Sequence, residues 1–280
     1  VGSDIRNALY AGPLRGIARH LGVGFLLSQY HHFADARLRR EYNRNKPNFV
    51  QTSVDGIVVA AHAASLGEYL RIAKLAHERK LLTAMGLILS EGAVVWDVGA
   101  NLGLYSIWLA KTVGPFGKIF AFEPEHRART RLVQNVAFNG LKNVEAIAVA
   151  LGDRTGTVRF YACDDFASGT HSLFDSGPAH RRESVTVEMR RGDELVEIGR
   201  AKLPSLIKID VEGAELEVLA GIARTLRQRI LQGVLCEVHS AVLAKRGFAD
   251  GPRRVQTMLH DAGLTSQRWV DYSHLLAMRN

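Results

Sequence analysis

The sequence predicts an α/β fold: a parallel sheet with helices on both faces, behind a mainly helical amino-terminal extension. Three observations carry this reading. From residue 93, short apolar runs alternate with amphipathic stretches, as buried parallel strands alternate with covering helices. The first of these runs ends in a glycine-rich turn, Asp97-Val98-Gly99-Ala100-Asn101-Leu102-Gly103. Before residue 91 the spacing is mostly helical, interrupted by the hairpin-forming dipeptide Asp55-Gly56.

In chain order, residues 4–45 read as a helical region broken by Gly12, Pro13, Gly22 and Gly24 and punctuated by Pro47. FVQTSVDGIVVA (49–60) reads as two short strands. Residues 66–90 return to helical spacing, with Leu70, Ala73, Leu81, Leu82, Met85 and Leu89 as the apolar face. VVWDV (94–98) is the first sheet strand, and residues 102–112 form a helix with Leu104, Ile107 and Trp108 on one face. KIFAF (118–122) is the second strand, and residues 125–139 a helix with Ala128, Leu132 and Val136 inward. VEAIAVA (144–150), SLIKID (205–210) and ILQGVLCEVH (230–239) supply further strands, the second followed by a helix burying Leu216, Leu219, Ile222 and Leu226. RTGTVRFYA (154–162) and SVTVEM (184–189) alternate polar and apolar residues, as antiparallel strands do. The long polar loop between them has the length of a functional loop. Residues 252–262, 264–270 and 274–278 read as helix, strand, strand. The domain organisation expected is an extension over 1–60 and a main domain over 61–280.

The 280 residues are 47% hydrophobic and 23% charged, ordinary globular values that exclude a disordered chain. No apolar run reaches the roughly 18 residues a membrane-spanning helix needs. Leu21–Leu27 resembles a signal core only superficially, because no small-residue cleavage pattern follows. Two cysteines, Cys163 and Cys236, are too few for a disulfide framework or zinc cluster. They point to a reducing, cytoplasmic setting. The formal charge of +8 is uneven: residues 1–90 hold 12 Lys+Arg against 6 Asp+Glu. The excess around Arg37, Arg39, Arg40, Arg44 and Lys46 suits a solvated helix face, with nucleic acid or an anionic membrane surface as the functional alternative.

Three motifs carry chemistry. The turn Asp97–Gly103 lies where a strand ends and a helix begins, the position at which parallel sheets bind ligands. Its glycine spacing is not G-x-G-x-x-G, so the dinucleotide fingerprint of a nicotinamide site is not met. Glu123-Pro124 ends the second strand, where a carboxylate can accept hydrogen bonds from a ribose diol if that strand neighbours the first. Ile207-Lys208-Ile209-Asp210-Val211-Glu212-Gly213-Ala214-Glu215 places two charges in a short apolar strand, costly unless paired or functional. Asp210 falls at the strand end facing the same cleft. Glu212 and Glu215 read as the start of the next helix, Glu215 as a simple cap.

DVGANLG, FEP, the ALGD at 150–153 and IKIDVEGAE, in this order and spacing, resemble the FkbM-type methyltransferases, a class I S-adenosylmethionine-dependent family. The resemblance covers roughly residues 91–240, with a weaker echo at 78–90. One departure is Arg191-Gly192-Asp193-Glu194-Leu195, where the family usually carries a Thr-Leu-Asp stretch. The resemblance implies a Rossmann-like, seven-stranded class I methyltransferase sheet, mostly parallel with an antiparallel last strand. It implies S-adenosylmethionine at the carboxyl ends of the first strands. Asp97, Gly99, Asn101 and Gly103 would serve the methionine portion, and Glu123 the ribose. Ala150, Leu151 and Asp153 would border the adenine, and Asp210 would sit near the amino group or the acceptor. The implied activity is O-methylation of a hydroxylated small molecule: a sugar, glycolipid or polyketide-type metabolite. An RNA or protein methyltransferase and an inactive cofactor-binding partner subunit are the alternatives.

A hydroxyl acceptor benefits from a general base. Asp210 and His239 are the first candidates, with Glu212 and His171 beside them. A divalent metal held by Asp210 with Glu237 or His239 is an alternative, not the expectation. The amino-terminal helices are candidates for covering the acceptor cleft, for pairing two copies, or for touching a membrane surface.

Overall fold

The computed structural model describes residues 36–163 and 182–280. The helical reading of residues 4–35 and the loop carrying His171 lie outside the described residues.

Residues 36–45 are helical and lead into a hairpin of β1 (Phe49–Val54) and β2 (Ile57–His62). Its turn residues, Asp55 and Gly56, have φ of 51° and 81°. Positive φ at both central positions is the turn that matches the twist of antiparallel strands. Then come helix α1 (Leu66–Lys74), a 3-10 turn (Leu75–Glu78) and α2 (Arg79–Gly86). Ser65 caps α1 in a capping box: its hydroxyl accepts from Glu68 N, and the Glu68 carboxylate accepts from Ser65 N. Glu68 is also tied to Arg131, 2.6 Å away. Ser65→Ala is expected to cost about 1 kcal/mol by removing one cap. A urea midpoint unchanged from the parent would show that the Arg131 pair alone sets this end of the helix. The buried apolar positions of α1 are Tyr69 and Ile72, not Leu70 and Ala73, which are only half-buried. The real face lies one residue to the side: Tyr69 and Ile72 join the buried cluster of Val54, Val59 and Ala61, while Leu70 packs against its edge.

The sheet alternation starts at β3 (Val94–Val98), followed by α3 (Leu104–Thr112), β4 (Lys118–Phe122), α4 (His126–Phe138) and β5 (Val144–Ile147). Residues 104–110 of α3 are buried on every side. The one-sided face expected from sequence understates this, because the hairpin covers the side that would otherwise meet water. Trp108 Nε1 donates to Val54 O at 3.2 Å, and Lys111 Nζ to Val58 O at 2.7 Å. On α4, the Asn139 amide at the helix end pairs with both Ala60 N and Ala60 O, and Asn135 accepts from His62 N. Side-chain amides thus satisfy backbone groups along β2 that would otherwise be an open edge. Val54, Val59 and Ala61 share one apolar cluster with Ile107, Trp108 and Val95, so packing is continuous across residue 60.

The expected strand over 144–150 is divided. β5 ends at Ile147, Val149 N turns back to Ile147 O, and β6 (Ala150–Leu151) enters a separate sheet. There it pairs with β8 (Arg182–Arg190), which is antiparallel to β7 (Gly156–Cys163). The chain leaves the main sheet at its edge strand, and β7 and β8 become a wall beside the cleft. A short helix, α5 (Gly192–Glu197), was not expected from sequence. Asp193 on it accepts from Arg224 N and Thr225 N, capping a later short helix over Ala223–Leu226.

β9 (Leu206–Ile209), α6 (Glu215–Gly221), α7 (Ala223–Leu226), β10 (Gly233–Glu237), α8 (Ser240–Lys245), α9 (Gly251–Asp261), β11 (Ser266–Trp269) and β12 (His274–Met278) complete the chain. The main sheet has seven strands in the order β11-β12-β10-β9-β3-β4-β5. The pairs among β10, β9, β3, β4 and β5 are parallel, and β12 is antiparallel to both neighbours. β3 therefore sits between strands that follow it directly and strands that come much later. This reversal of order opens a crevice at the strands' carboxyl ends. No helix among the described residues is long and apolar enough to cross a membrane.

Candidate active site

The glycine-rich turn is fixed to both neighbouring strands. Gly99 N and Ala100 N both donate to Phe122 O at the end of β4, at 3.0 and 3.1 Å. Gly99 has φ of 75°, and a Cβ there would fall 1.8 Å from Asp210 O. No side chain fits, so glycine is required by contact with the end of β9 as well as by backbone conformation. Gly103 serves a different purpose from the one expected. Its absent Cβ would strike Leu132 of α4 at 2.7 Å, so it allows α3 and α4 to pack and does not line the cleft.

Asp97 is also displaced from its expected role. It is fully buried beneath the turn, accepting from Ser106 Oγ at 2.6 Å and lying 3.2 Å from Lys208 Nζ. Lys208 donates to Gly99 O at 3.0 Å, stands 3.5 Å from Asp210 Oδ2, and lies 5.3 Å from the centre of the Tyr105 ring. Burial opposes its charge, but Asp97 and Asp210 outweigh burial and raise its pKa. The charged pair that seemed costly in β9 is thus the tie that joins β3, its turn and Asp210.

Glu123 lies just after β4, which pairs with β3, the placement that the expected ribose role requires. It is 4% exposed; Oε2 accepts from Asn101 N at 2.8 Å and Oε1 from Glu125 N at 2.9 Å. Burial pushes its carboxyl up to about 7, against the two backbone donors that lower it. Asn101, at φ 48°, is buried, and its Oδ1 has no hydrogen-bond partner among the described residues. An orphaned acceptor there fits a bound ligand that carries hydroxyls or an amine.

Gly99, Asn101, Glu123, Ala150, Leu151 and Asp210 all border one cleft. Asp153 does not: it is exposed, beside Arg154. Sequence reasoning missed Phe160 of β7, which closes the apolar side, and Arg71 of α1, at the polar mouth. Neither carries a local signal, since an aromatic in a strand and an arginine on a helix are ordinary. Arg71 also borders an adjoining recess with Lys208 and Tyr105.

Asp210 faces the cleft with Arg71 at 3.8 Å. Burial opposes its ionisation, but Lys208, Arg71, His239 and His274 hold the carboxyl down at about 2. Glu212 is not the first residue of a helix. It sits in a left-handed turn, φ 51°, and lines the cleft beside Asp210, while α6 begins at Glu215. Burial raises its carboxyl to about 7, with Asp210 and Glu237 adding to the rise and His239 opposing it. His239 does not border the cleft itself. It stands behind Glu212, with Nε2 at 3.3 Å from Glu212 Oε2 and Nδ1 at 2.7 Å from Glu215 Oε1. Burial disfavours its charge, but the Glu215 hydrogen bond and the Glu212 and Asp210 carboxylates raise its pKa to about 9. A ring that holds its proton at neutral pH does not accept one from a substrate, so the base role expected of His239 is not supported.

Residues 97–263 match the methyltransferase FkbM domain. The chain is similar to the hexuronic acid methyltransferase AglP of Haloferax volcanii, at 30% identity over 214 residues, covering 76% of this chain and 81% of that protein. It is similar to the 31-O-demethyl-FK506 methyltransferase FkbM of Streptomyces tacrolimicus, 31% identical over 182 residues, covering 55% and 68%. It is also similar to the 2-O-methyltransferase NoeI of Sinorhizobium fredii, 27% identical over 156 residues, covering 51% and 62%.

Proposed function

The chain belongs to the FkbM methyltransferase family, and from that premise we propose that it methylates a hydroxyl of a sugar-type small molecule. The observation that supports this is the cleft itself. It brings the turn after β3, the buried carboxylate after β4 and the carboxylates after β9 to one sheet edge. Bound S-adenosylmethionine supplies a methyl group already activated by its sulfonium, so the protein's main task is orientation. In this reading Glu123 accepts from the ribose hydroxyls, and Asn101 Oδ1 receives a donor of the same ligand. Ala150, Leu151 and Phe160 cover the adenine and exclude water. Asp210 and Glu212 are the carboxylates that face the acceptor, while His239 is a positioning residue that acts through Glu212.

The acceptor class follows from Arg71. Its side chain is 31% exposed at the cleft mouth, beside Asp210. A guanidinium there binds a carboxylate in a forked geometry, which suits a hexuronic acid such as the one named for the Haloferax relative. The test is methyl transfer from labelled donor to a panel of glucuronosides and matched glucosides. Glucuronosides are expected to win by at least about tenfold, the value of one charge-assisted hydrogen bond, with the preference lost in Arg71→Gln. Equal rates on both sugars would remove the uronic acid assignment. Transfer to neither, with RNA or protein labelled instead, would overturn the small-molecule reading.

A further inference from the structure

We infer that Asp210, Glu212 and His239 form a binding site for one divalent cation of intermediate hardness, such as Mn²⁺, at the acceptor end of the cleft. This deepens the reading above and rests on it only for the cation's use, not for its binding. One ligand atom from each of the three side chains lies within 4.8 Å of the others. Ligands that share an ion at about 2.1 Å lie at most about 4.2 Å apart. Side-chain adjustment brings the three atoms onto one ion. The His239 Nε2 to Glu212 Oε2 distance of 3.3 Å already fits two neighbouring ligands of one ion.

A second, independent observation concerns the far side of the imidazole. Glu215 is completely buried, and its Oε1 holds His239 Nδ1 at 2.7 Å. That contact fixes Nδ1 as a donor and turns Nε2 toward the carboxylates, where the cation takes the place of the proton that Nε2 otherwise holds. A buried carboxylate behind a histidine is the support that metal-ligating imidazoles have, because it orients the ring and raises its basicity. Glu215 Oε1 also accepts from Gly213 N, while Oε2 has no hydrogen-bond partner among the described residues. Glu237 Oε1, at 3.8 Å from His239 Nε2, adds a further oxygen at the rim. Carboxylate and imidazole together select a metal between Mg²⁺ and Zn²⁺ in character. Lys208 and Arg71 lie on Asp210 Oδ2 and oppose a cation, so micromolar affinity is expected.

The use is Lewis acidity. The acceptor oxygen on the cation loses its proton to solvent water. Its lone pair forms the new O–CH₃ bond while the S–CH₃ bond breaks, and the electron pair stays on the sulfur of S-adenosylhomocysteine.

The test uses the full chain, stripped with a chelator, with neither donor nor acceptor present. Mn²⁺ is titrated and the free ion followed by its paramagnetic resonance signal. One saturable site per chain is expected, weakened at least tenfold in Glu212→Gln and in His239→Gln. Unchanged affinity in exposed Glu197→Gln is expected as the control. Two variants guard against loss of fold, with circular dichroism of each compared to the parent. No saturable site, or equal affinity in both variants and the parent, overturns the proposal and leaves a proton shared by His239 and Glu212 as the occupant. Methyl transfer that survives chelation rejects the metal alone, whereas metal binding without S-adenosylhomocysteine binding rejects the enzyme reading alone.

Discussion

Lys208→Met is expected to destabilise the protein by about 3–5 kcal/mol, the usual cost of removing one partner from a buried ion pair. Lys208 is 5% exposed and Asp97 fully buried, so water cannot replace the lost ammonium. Ser106 still donates to Asp97 Oδ2, but Oδ1 is left facing only the methionine chain. The Gly99 carbonyl loses its donor too, at the turn that the cleft depends on. Cofactor affinity should therefore fall in whatever fraction remains folded. Urea unfolding of Lys208→Met, Asp97→Asn and the double variant closes a cycle that isolates the pair. The double variant should recover a large part of the single loss, because the amide put in place of Asp97 leaves no buried charge unpaired. A loss below about 1 kcal/mol in Lys208→Met, the value of a surface pair, would show that the tie is not what holds β3 to β9.

The sheet was legible because its inner strands are buried on both faces, so each is a largely apolar run rather than an alternation. The cleft was legible where function sits at strand ends. Gly99, Glu123 and Asp210 each follow directly on an apolar run, and the pairing of β3 with β4 and β9 brings all three together. What was illegible depends on contacts between distant segments. Arg71 reaches Asp210 from α1, and nothing in its own neighbourhood marks it. The role of Gly103 is set by Leu132 on another helix. Glu212, followed by Gly213 and two further acids, reads as a helix start. Backbone geometry makes it a left-handed turn instead, and this turn carries the carboxylate into the cleft. His239 reads as a base until its partners are known. The carboxylates around it decide its charge, and two of them, Glu212 and Glu215, come from the segment after β9.

Cofactor affinity is expected to rise with pH up to about 7 and then level off, through Glu123. Its folded-state pKa lies near 7, above its ordinary 4.5, because burial penalises the carboxylate. Below that point the group holds a proton and cannot accept from two ribose hydroxyls at once. Affinity should then fall by up to about tenfold per pH unit. The sign for stability is opposite. A raised carboxyl pKa means the folded protein binds the proton more tightly than the unfolded chain, so folding is favoured below about 4.5. That advantage is lost as pH rises through about 7. The cost above that is on the order of 3 kcal/mol. The site thus keeps a destabilising charge that ligand binding compensates. Glu123→Gln removes the charge but leaves one oxygen for two backbone donors, Asn101 N and Glu125 N, which cancels part of the relief. Its expected signature is S-adenosylhomocysteine affinity lowered more than about tenfold near neutral pH, since a hydrogen bond to a charged group contributes about 1.5–3 kcal/mol. Its binding curve should also be flat with pH. Calorimetric titration of parent and variant across neutral pH reads both effects. A variant that keeps both the parent's affinity and its pH slope would remove Glu123 from the ribose and leave its charge a structural one.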